Sequence, residues 1–463
     1  MRNGTILLIS AIVFLLAGNL PVSAQKQTPP SGEPPKPFHL PAKETFSLPN
    51  GLKVTMVPYG TIPKVTIDVT VRAGNLNETA AEVWIADLTG QLMKEGTGTR
   101  SAEQVAQEAA SMGGTVDVSV GPDQTEVSGD VLSEFGPKMA ALLADVVQHP
   151  ALPASELPRL KADAVRRLNI QKSQPQPLAR EHFLKALYPN HPYGRLFPTE
   201  SMVSAYTVEE VRKFYQQNFG AGRTHIYVAG KFDAKAVKAA ITESFSGWTR
   251  GPDPLIDIPK PVTKHEVDLV DRPGAAQSTL FMGMPTIDPS NPDYIPLQVM
   301  NALLGGSFGS RITSNIREQK GYTYSPTSLI SPRYRDAYWV ETADVTTAVT
   351  GPSIKEILYE IDRLQKEPPS AAELDGIKNY LAGVFVLRNS NRQGVITQLQ
   401  FVDLHNLGEQ YLDTYVQKVY SVTPAEVQQM TEKYILPGKL TIVVVGDKAK
   451  IADQIAPYEK GGE

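Results

Sequence analysis

Arg317, Tyr322 and Tyr324 lie in the stretch LLGGSFGSRITSNIREQKGYTYS (303–325), and their residue types suit one kind of chemistry. A guanidinium of fixed charge and a phenol both donate hydrogen bonds to an oxygen that becomes negative in a tetrahedral intermediate. Loss of one such donor typically costs about 3 kcal/mol of transition-state stabilisation. The same spacing permits a plainer assignment. Lys320 followed by Gly321 is ordinary helix termination, which would leave Arg317 on a solvated face and Tyr322 as a half-buried aromatic where a strand begins. The glycine-rich LGGSFGSR (304–311) lacks the G-x-x-x-x-G-K-[ST] order of a phosphate loop, which argues against nucleotide binding.

Metal chemistry is poorly provided for. The seven histidines (His39, His149, His182, His191, His225, His265 and His405) are scattered, and no two lie three or four apart as a helical ligand pair requires. His182 and His191 with Glu181 are the remaining alternative, and their spacing is not that of a helical pair. There is no cysteine, which removes thiolate ligands and disulfides together.

The elements that would carry such residues are legible. In TFSLPNGLKVTMV (45–57), Asn50-Gly51 between alternating apolar runs signals a hairpin, and KVTIDVTVRAG (64–74) continues the strands. Residues 83–104, VWIADLTGQLMKEGTGTRSAEQ, read as a helix, a Gly/Thr turn and the start of a second helix, with Ile85, Leu88 and Leu92 on one face. Strands return in TVDVSVGPDQTEVSGDV (115–131), and EFGPKMAALLADVVQHP (134–150) is helical. These alternating blocks predict an α+β fold with mostly antiparallel sheets and helices on one face.

The chain also repeats itself. TVEEVRKFYQQNFGAGRTHIYVAGKF (207–232) and TPAEVQQMTEKYILPGKLTIVVVGDK (423–448) match at Glu210/Glu426, Val211/Val427 and Gly230/Gly446, all at an offset of 216. Each begins with an N-cap Thr and runs from helix to buried strand. This predicts two duplicated halves, 44–250 and 265–463, joined by the proline-spaced GPDPLIDIPKPVTK (251–264).

With 463 residues and 41% hydrophobic content the chain can bury large cores, and no basic patch with interleaved aromatics points to nucleic acid. Residues 1–24 read as a signal peptide: Arg2, an apolar run from Ile6 to Ala17 shorter than the roughly 20 residues of a membrane span, and Val22-Ser23-Ala24 as cleavage site. Cleavage after Ala24 would place the protein in the periplasm or outside the cell, with no membrane attachment. It would move the formal net charge from −4 to −5, because only Arg2 is lost among charged residues. Residues 25–43 are a Pro-rich, solvated lead-in.

The segments GTGTRSAEQVAQEAASMGGTV, NHPYGRLFPTESMVSAYTVEEVRKFY, VDRPGAAQSTLFMG and LLGGSFGSRITSNIREQKGYTYS, on two halves of about 200 residues each, resemble the insulinase/pitrilysin (inverzincin) peptidase family. The small processing-peptidase branch is the nearest in size. The resemblance covers residues 44–448 and implies a clamshell of two halves. In active members H-x-x-E-H on the first helix and a Glu on a helix some seventy residues later bind zinc. Here the first helix reads WIADLTGQLMKEGT (84–97), with Asp87 and Glu95 as its acids and no imidazole. The later one, LPRLKADAVRRLNIQKS (157–173), carries Arg159, Lys161, Arg166, Arg167 and Lys172 around Asp163, the opposite of a zinc shell.

The resemblance further implies that an Arg/Tyr pair from the second half reaches the substrate carbonyl. Arg317 and Tyr322 match it best, and Tyr324 could take the Tyr role. It also implies substrate handling by the glycine-rich stretch, here Gly305, Gly306, Ser307 and Phe308, with Tyr324 alongside. The resulting expectation is a subunit that binds no zinc and completes the peptide cavity of a homologous H-x-x-E-H partner, most simply as a heterodimer, with the zinc on the partner. The alternative is a periplasmic peptide-binding or scaffold protein with no role in hydrolysis.

Overall fold

A computed structural model describes residues 39–408 and 410–460; the leader, its cleavage site and most of the Pro-rich lead-in lie outside the described residues. Among the described residues no helix is long and apolar enough to cross a membrane. Near the first described residues, the Leu40 N–H donates to Asp413 Oδ1 and its side chain packs half-buried on the second core.

The hairpin predicted around Asn50-Gly51 joins β1 (Glu44–Ser47) to β2 (Lys53–Pro58), paired antiparallel from Ser47↔Lys53. β3 (Lys64–Val71), β4 (Val116–Val120), β5 (Thr125–Leu132) and β6 (Thr224–Gly230) complete a six-stranded sheet of order β1-β2-β6-β3-β5-β4. Only the β2–β6 pair is parallel.

A second sheet is built from β7 (Glu266–Asp271), β8 (Gln277–Thr286), β9 (Thr327–Arg333), β10 (Asp336–Thr346) and β11 (Thr441–Gly446), in the order β7-β11-β8-β10-β9. Its one parallel pair is β7–β11. Without β1, the first sheet follows the same order, with β6 and β11 in equivalent places. The repeated helices Val208–Asn218 and Pro424–Tyr434 start with the same reciprocal cap: Thr207 with Glu210, and Thr423 with Glu426. The local sequence repeat is thus a repeat of topology.

Helices cover one face of each sheet from within its own half. The helix Gly136–Gln148 does so in the first half and Thr350–Lys366 in the second. The other face is covered by the opposite half. β11 is buried along its whole length, and β3 from Val65 to Val71, which for an alternating strand requires cover on both sides. Helix Pro175–Leu187 of the first half packs on β11 and β8 of the second sheet, placing Ala179, Phe183, Leu184, Leu187 and Tyr188 in one core with Tyr338, Val340, Val443 and Val445.

Reciprocally, helix Arg392–Leu404 of the second half lies on β6 and β3 of the first sheet. That second contact is polar. Arg392 Nη2 donates to Asp130 Oδ1 (2.8 Å), Gln400 Nε2 to Thr70 Oγ1 (2.9 Å), and His225 faces Asp403 (3.3 Å). Partly buried charges of this kind are retained where partners satisfy them.

Residues 251–264 carry no helix or strand, and Leu255, Ile256 and Ile258 are exposed there. Arg223 holds the carbonyls of Pro252 and Asp253 at one end, and the Val262 N–H donates to Leu187 O (2.8 Å) at the other. Limited proteolysis should therefore cut first between 255 and 258, read by N-terminal sequencing of the fragments. Earlier cuts within 83–113 would contradict the packed state of that helix pair.

Candidate functional site

Helix Ile85–Met93 buries Ile85, Leu88 and Leu92 against the first core and turns Asp87 toward helix Leu157–Ser173. There Arg167 Nη2 lies 3.5 Å from Asp87 Oδ1, and its guanidinium stacks over the Trp84 ring at 4.6 Å. Trp84 itself starts the helix from the left-handed region (φ 71), a costly conformation for a bulky residue that persists only when the surroundings enforce it. Asn75 Nδ2 donates to both Asp87 Oδ2 (2.9 Å) and Glu78 Oε1 (3.1 Å), and the Ala86 N–H also donates to Glu78 (3.0 Å).

This donor set does not fit a divalent metal. The place between the two helices is filled by a guanidinium, which cannot ligate and repels a cation. Glu95 is engaged by Arg159 (2.6 Å), and Asp163 by Arg166 (3.0 Å). The alternative histidines are engaged separately, His182 with Asp268 (2.7 Å) and His191 with the Asp257 carbonyl (3.4 Å). Among the described residues no group of three or more His, Cys, Asp or Glu is arranged to hold a metal. After dialysis against trace zinc, metal analysis of the purified chain should find no stoichiometric zinc. One zinc per chain, lost on replacing His182 or His191, would overturn this.

Burial, with Asp87 adjacent, raises the Glu78 carboxyl to about 8. A carboxyl whose folded pKa exceeds its unfolded value stabilises the fold fully below the unfolded pKa, and that contribution is lost as pH rises through the folded value. Stability should therefore fall between about pH 4.5 and pH 8 on account of Glu78. Glu78→Gln keeps the acceptor for Ala86 and removes the charge. It should raise the stability at pH 8 by an amount of the order of a few kcal/mol, read as a higher melting temperature, and leave the melting temperature unchanged at pH 4. An equal shift at both pH values would assign the effect to packing.

The second-half candidates divide. Arg317 lies in the π-helical segment Thr313–Gln319, with its guanidinium over the Phe308 ring at 4.5 Å and the Tyr324 ring at 4.8 Å. Both rings are largely exposed, at 68% and 78%. Such segments with non-α hydrogen bonding recur at functional sites. Glu318 Oε1 approaches Arg317 Nε at 3.2 Å. Arg317 is therefore clasped at the surface rather than free on a solvated face.

Tyr322 is not in this cluster. The strand expected to begin there begins at Thr327, because the Tyr322 N–H donates back to Ile316 O (2.8 Å) and its ring packs half-buried on the second core. Of the glycine-rich stretch only Phe308 reaches Arg317. Gly305 and Ser307 are buried, and a Cβ on Gly305 would stand 2.5 Å from Glu341 Oε2 and 2.6 Å from Ser328 Oγ. Gly306 lines a different hollow with Asn301 and Ser328.

Beside the Asp87–Arg167 pair lies a cavity of about 440 Å³, whose wall includes Arg180, Arg195 and Arg333. The sequence does not mark Arg180, on helix Pro175–Leu187, or Arg333, at the end of β9. The one available signal was Arg195, within the motif NHPYGRLFPTE.

The family model of insulinase (peptidase family M16) matches residues 54–198, and that of the peptidase M16 inactive domain matches 205–381. The chain belongs to the M16 peptidase family. M16 relatives include an uncharacterized zinc protease of Rickettsia bellii, 26% identical over 63% of this chain and 71% of the relative. One of Bacillus subtilis is 24% identical over 74% and 83%, and one of Mycobacterium tuberculosis 24% identical over 90% and 96%. Solved structures share the M16 fold. A peptidase M16 inactive domain from Pseudomonas fluorescens superposes with TM-score 0.81 at 24% identity, covering 87% of this chain and 98% of that one. A protease from Helicobacter pylori does so with TM-score 0.81 at 19% identity, over 88% and 100%. The two-sheet clamshell expected from the sequence is thus the M16 fold.

Proposed function

We propose that this chain is a non-catalytic, zinc-free subunit of an M16-type metallopeptidase, exported to the periplasm. In this reading it completes the peptide cavity of a homologous partner that carries H-x-x-E-H and the zinc. The observation that carries the proposal is the Asp87–Arg167 pair: the two helices that bear metal ligands in active relatives meet here through an ion pair. The names of the relatives as zinc proteases and the matches to M16 models over both halves support the metallopeptidase-family part of this assignment.

The chain's contribution is Arg317, held between Phe308 and Tyr324 and able to donate to the carbonyl oxygen of a bound peptide. Mixing the purified chain with an H-x-x-E-H homologue from the same genome should give peptide hydrolysis that neither shows alone, with a heterodimer on analytical ultracentrifugation. Full activity of the homologue by itself would sink the proposal. A second reading, a peptide-binding protein without a part in hydrolysis, is favoured by the arginine-lined cavity. It predicts peptide binding with no gain of hydrolysis on mixing.

A further inference from the structure

The cavity next to Asp87 is strongly biased in charge. Arg167, Arg180, Arg195 and Arg333 all contribute to its wall, against Asp87 as the one acidic lining residue. Three of these arginines have local partners: Arg167 pairs with Asp87 (3.5 Å) and stacks on Trp84, Arg195 donates to the Glu78 carbonyl (3.0 Å), and Arg333 donates to the Pro332 carbonyl (2.9 Å) within electrostatic reach of Asp123. Carbonyls and an aromatic ring orient a guanidinium without neutralising it, and Asp87 offsets one of the four lining guanidinium charges. Arg180, on helix Pro175–Leu187, makes no hydrogen bond or ion pair among the described residues and is exposed at the cavity. Such an excess of positive charge in a concave, partly desolvated site attracts an anion.

Two further features narrow the class of anion. Gln171 lines the same cavity, and its buried Oε1 has no hydrogen-bond partner, so the site lacks a donor as well as a negative charge. The lining also includes apolar surface: Trp84 and Phe197 meet edge to face, with centroids 6.1 Å apart. An inorganic anion would use the arginines and leave Gln171 and the aromatic wall idle. A peptide end has a carboxylate for the arginines, an amide N–H for Gln171 Oε1 and side chains for the rings. The volume of about 440 Å³ is within the range of a small-ligand site.

We propose that this cavity binds the free C-terminal carboxylate of a peptide, with Arg180 as a principal contact and Gln171 accepting from the peptide N–H. The site needs no partner subunit and stands independently of the assembly proposed above. The stack of Arg167 on Trp84 and its pairing with Asp87 fix one guanidinium in the wall before the ligand arrives.

The test uses the mature chain alone and fluorescence anisotropy of a dansyl-labelled alanine pentapeptide. The free-acid peptide should bind, and its C-terminal amide should bind about tenfold more weakly or less, as loss of a charged hydrogen bond implies. Arg180→Gln should weaken the acid about tenfold while leaving the amide and the melting temperature unchanged. Gln171→Leu should weaken the acid with no change in its salt dependence.

Equal binding of acid and amide, no binding of either, or indifference to Arg180→Gln would overturn the proposal. Tighter binding of an amidated peptide with a central aspartate would also overturn it, by moving the preference to side-chain carboxylates. Displacement by inorganic phosphate at lower concentration than by the peptide acid would reassign the site to a free anion.

Discussion

Arg317→Ala in the reconstituted assembly is expected to lower kcat roughly a hundredfold, the usual cost of one missing donor to a developing oxyanion, while the two chains still associate. The side chain is itself 23% exposed, but what covers it includes the largely exposed rings of Phe308 and Tyr324 rather than only the core, so its removal should not unfold the second half. Arg317→Lys should recover only part of the rate. An ammonium keeps the charge but loses the planar stack on two rings and the forked donor geometry.

The same assay separates the two tyrosines. Tyr324→Phe should reduce kcat through the lost phenol, because Tyr324 is exposed beside Arg317. Tyr322→Phe should have a smaller effect, because that ring packs on the core. A rate unchanged by Arg317→Ala, with the complex intact, would reduce the clasp to a feature of surface packing.

Phe183→Ala is expected to destabilise the chain by about 3–5 kcal/mol, the range for deleting a buried aromatic ring. Phe183 comes from a first-half helix yet is fully buried against the second sheet, with ring centroids 6.0 Å from Phe281 and 5.6 Å from Tyr338. Gly283 on β8 is part of the same fit. A Cβ there would stand 2.8 Å from the Phe183 ring and 2.2 Å from the Trp339 carbonyl, so only glycine lets the ring approach the strand backbone.

Because Phe183 joins the halves, urea denaturation of the variant should remain a single transition with a lower midpoint. A truncated 44–250 segment should be insoluble or unfolded, since it would expose both the helix face that carries Phe183 and the β3/β6 face covered by helix Arg392–Leu404. A stable, soluble first half would contradict this interlock.

Local patterns were sufficient for most of the elements and for the duplication, while the clamshell came from the family resemblance and the strand expected at Tyr322 begins at Thr327. The spacing of Ile85, Leu88 and Leu92 defined a helix face that is indeed buried, and Thr207/Glu210 and Thr423/Glu426 marked helix starts that repeat in both halves. Capping and amphipathic periodicity act over a few residues, so a one-dimensional sequence records them directly. The absent histidines in 84–97 and the basic helix 157–173 were equally legible, because metal ligation requires particular residue types whatever the packing.

Only the tertiary structure decided what occupies the place between those two helices. That Arg167 faces Asp87 depends on how two helices far apart in sequence rotate against each other. It decided that Tyr324 and Phe308, rather than Tyr322, hold Arg317, because a backbone hydrogen bond to Ile316 and core packing draw Tyr322 inward. It decided that each sheet is closed by a helix of the other half, and that Arg180, Arg195 and Arg333 line one cavity. Those contacts join residues from separate elements, and no local preference of the chain encodes them. They follow from the need to cover both faces of β3 and β11, which no single half can do alone.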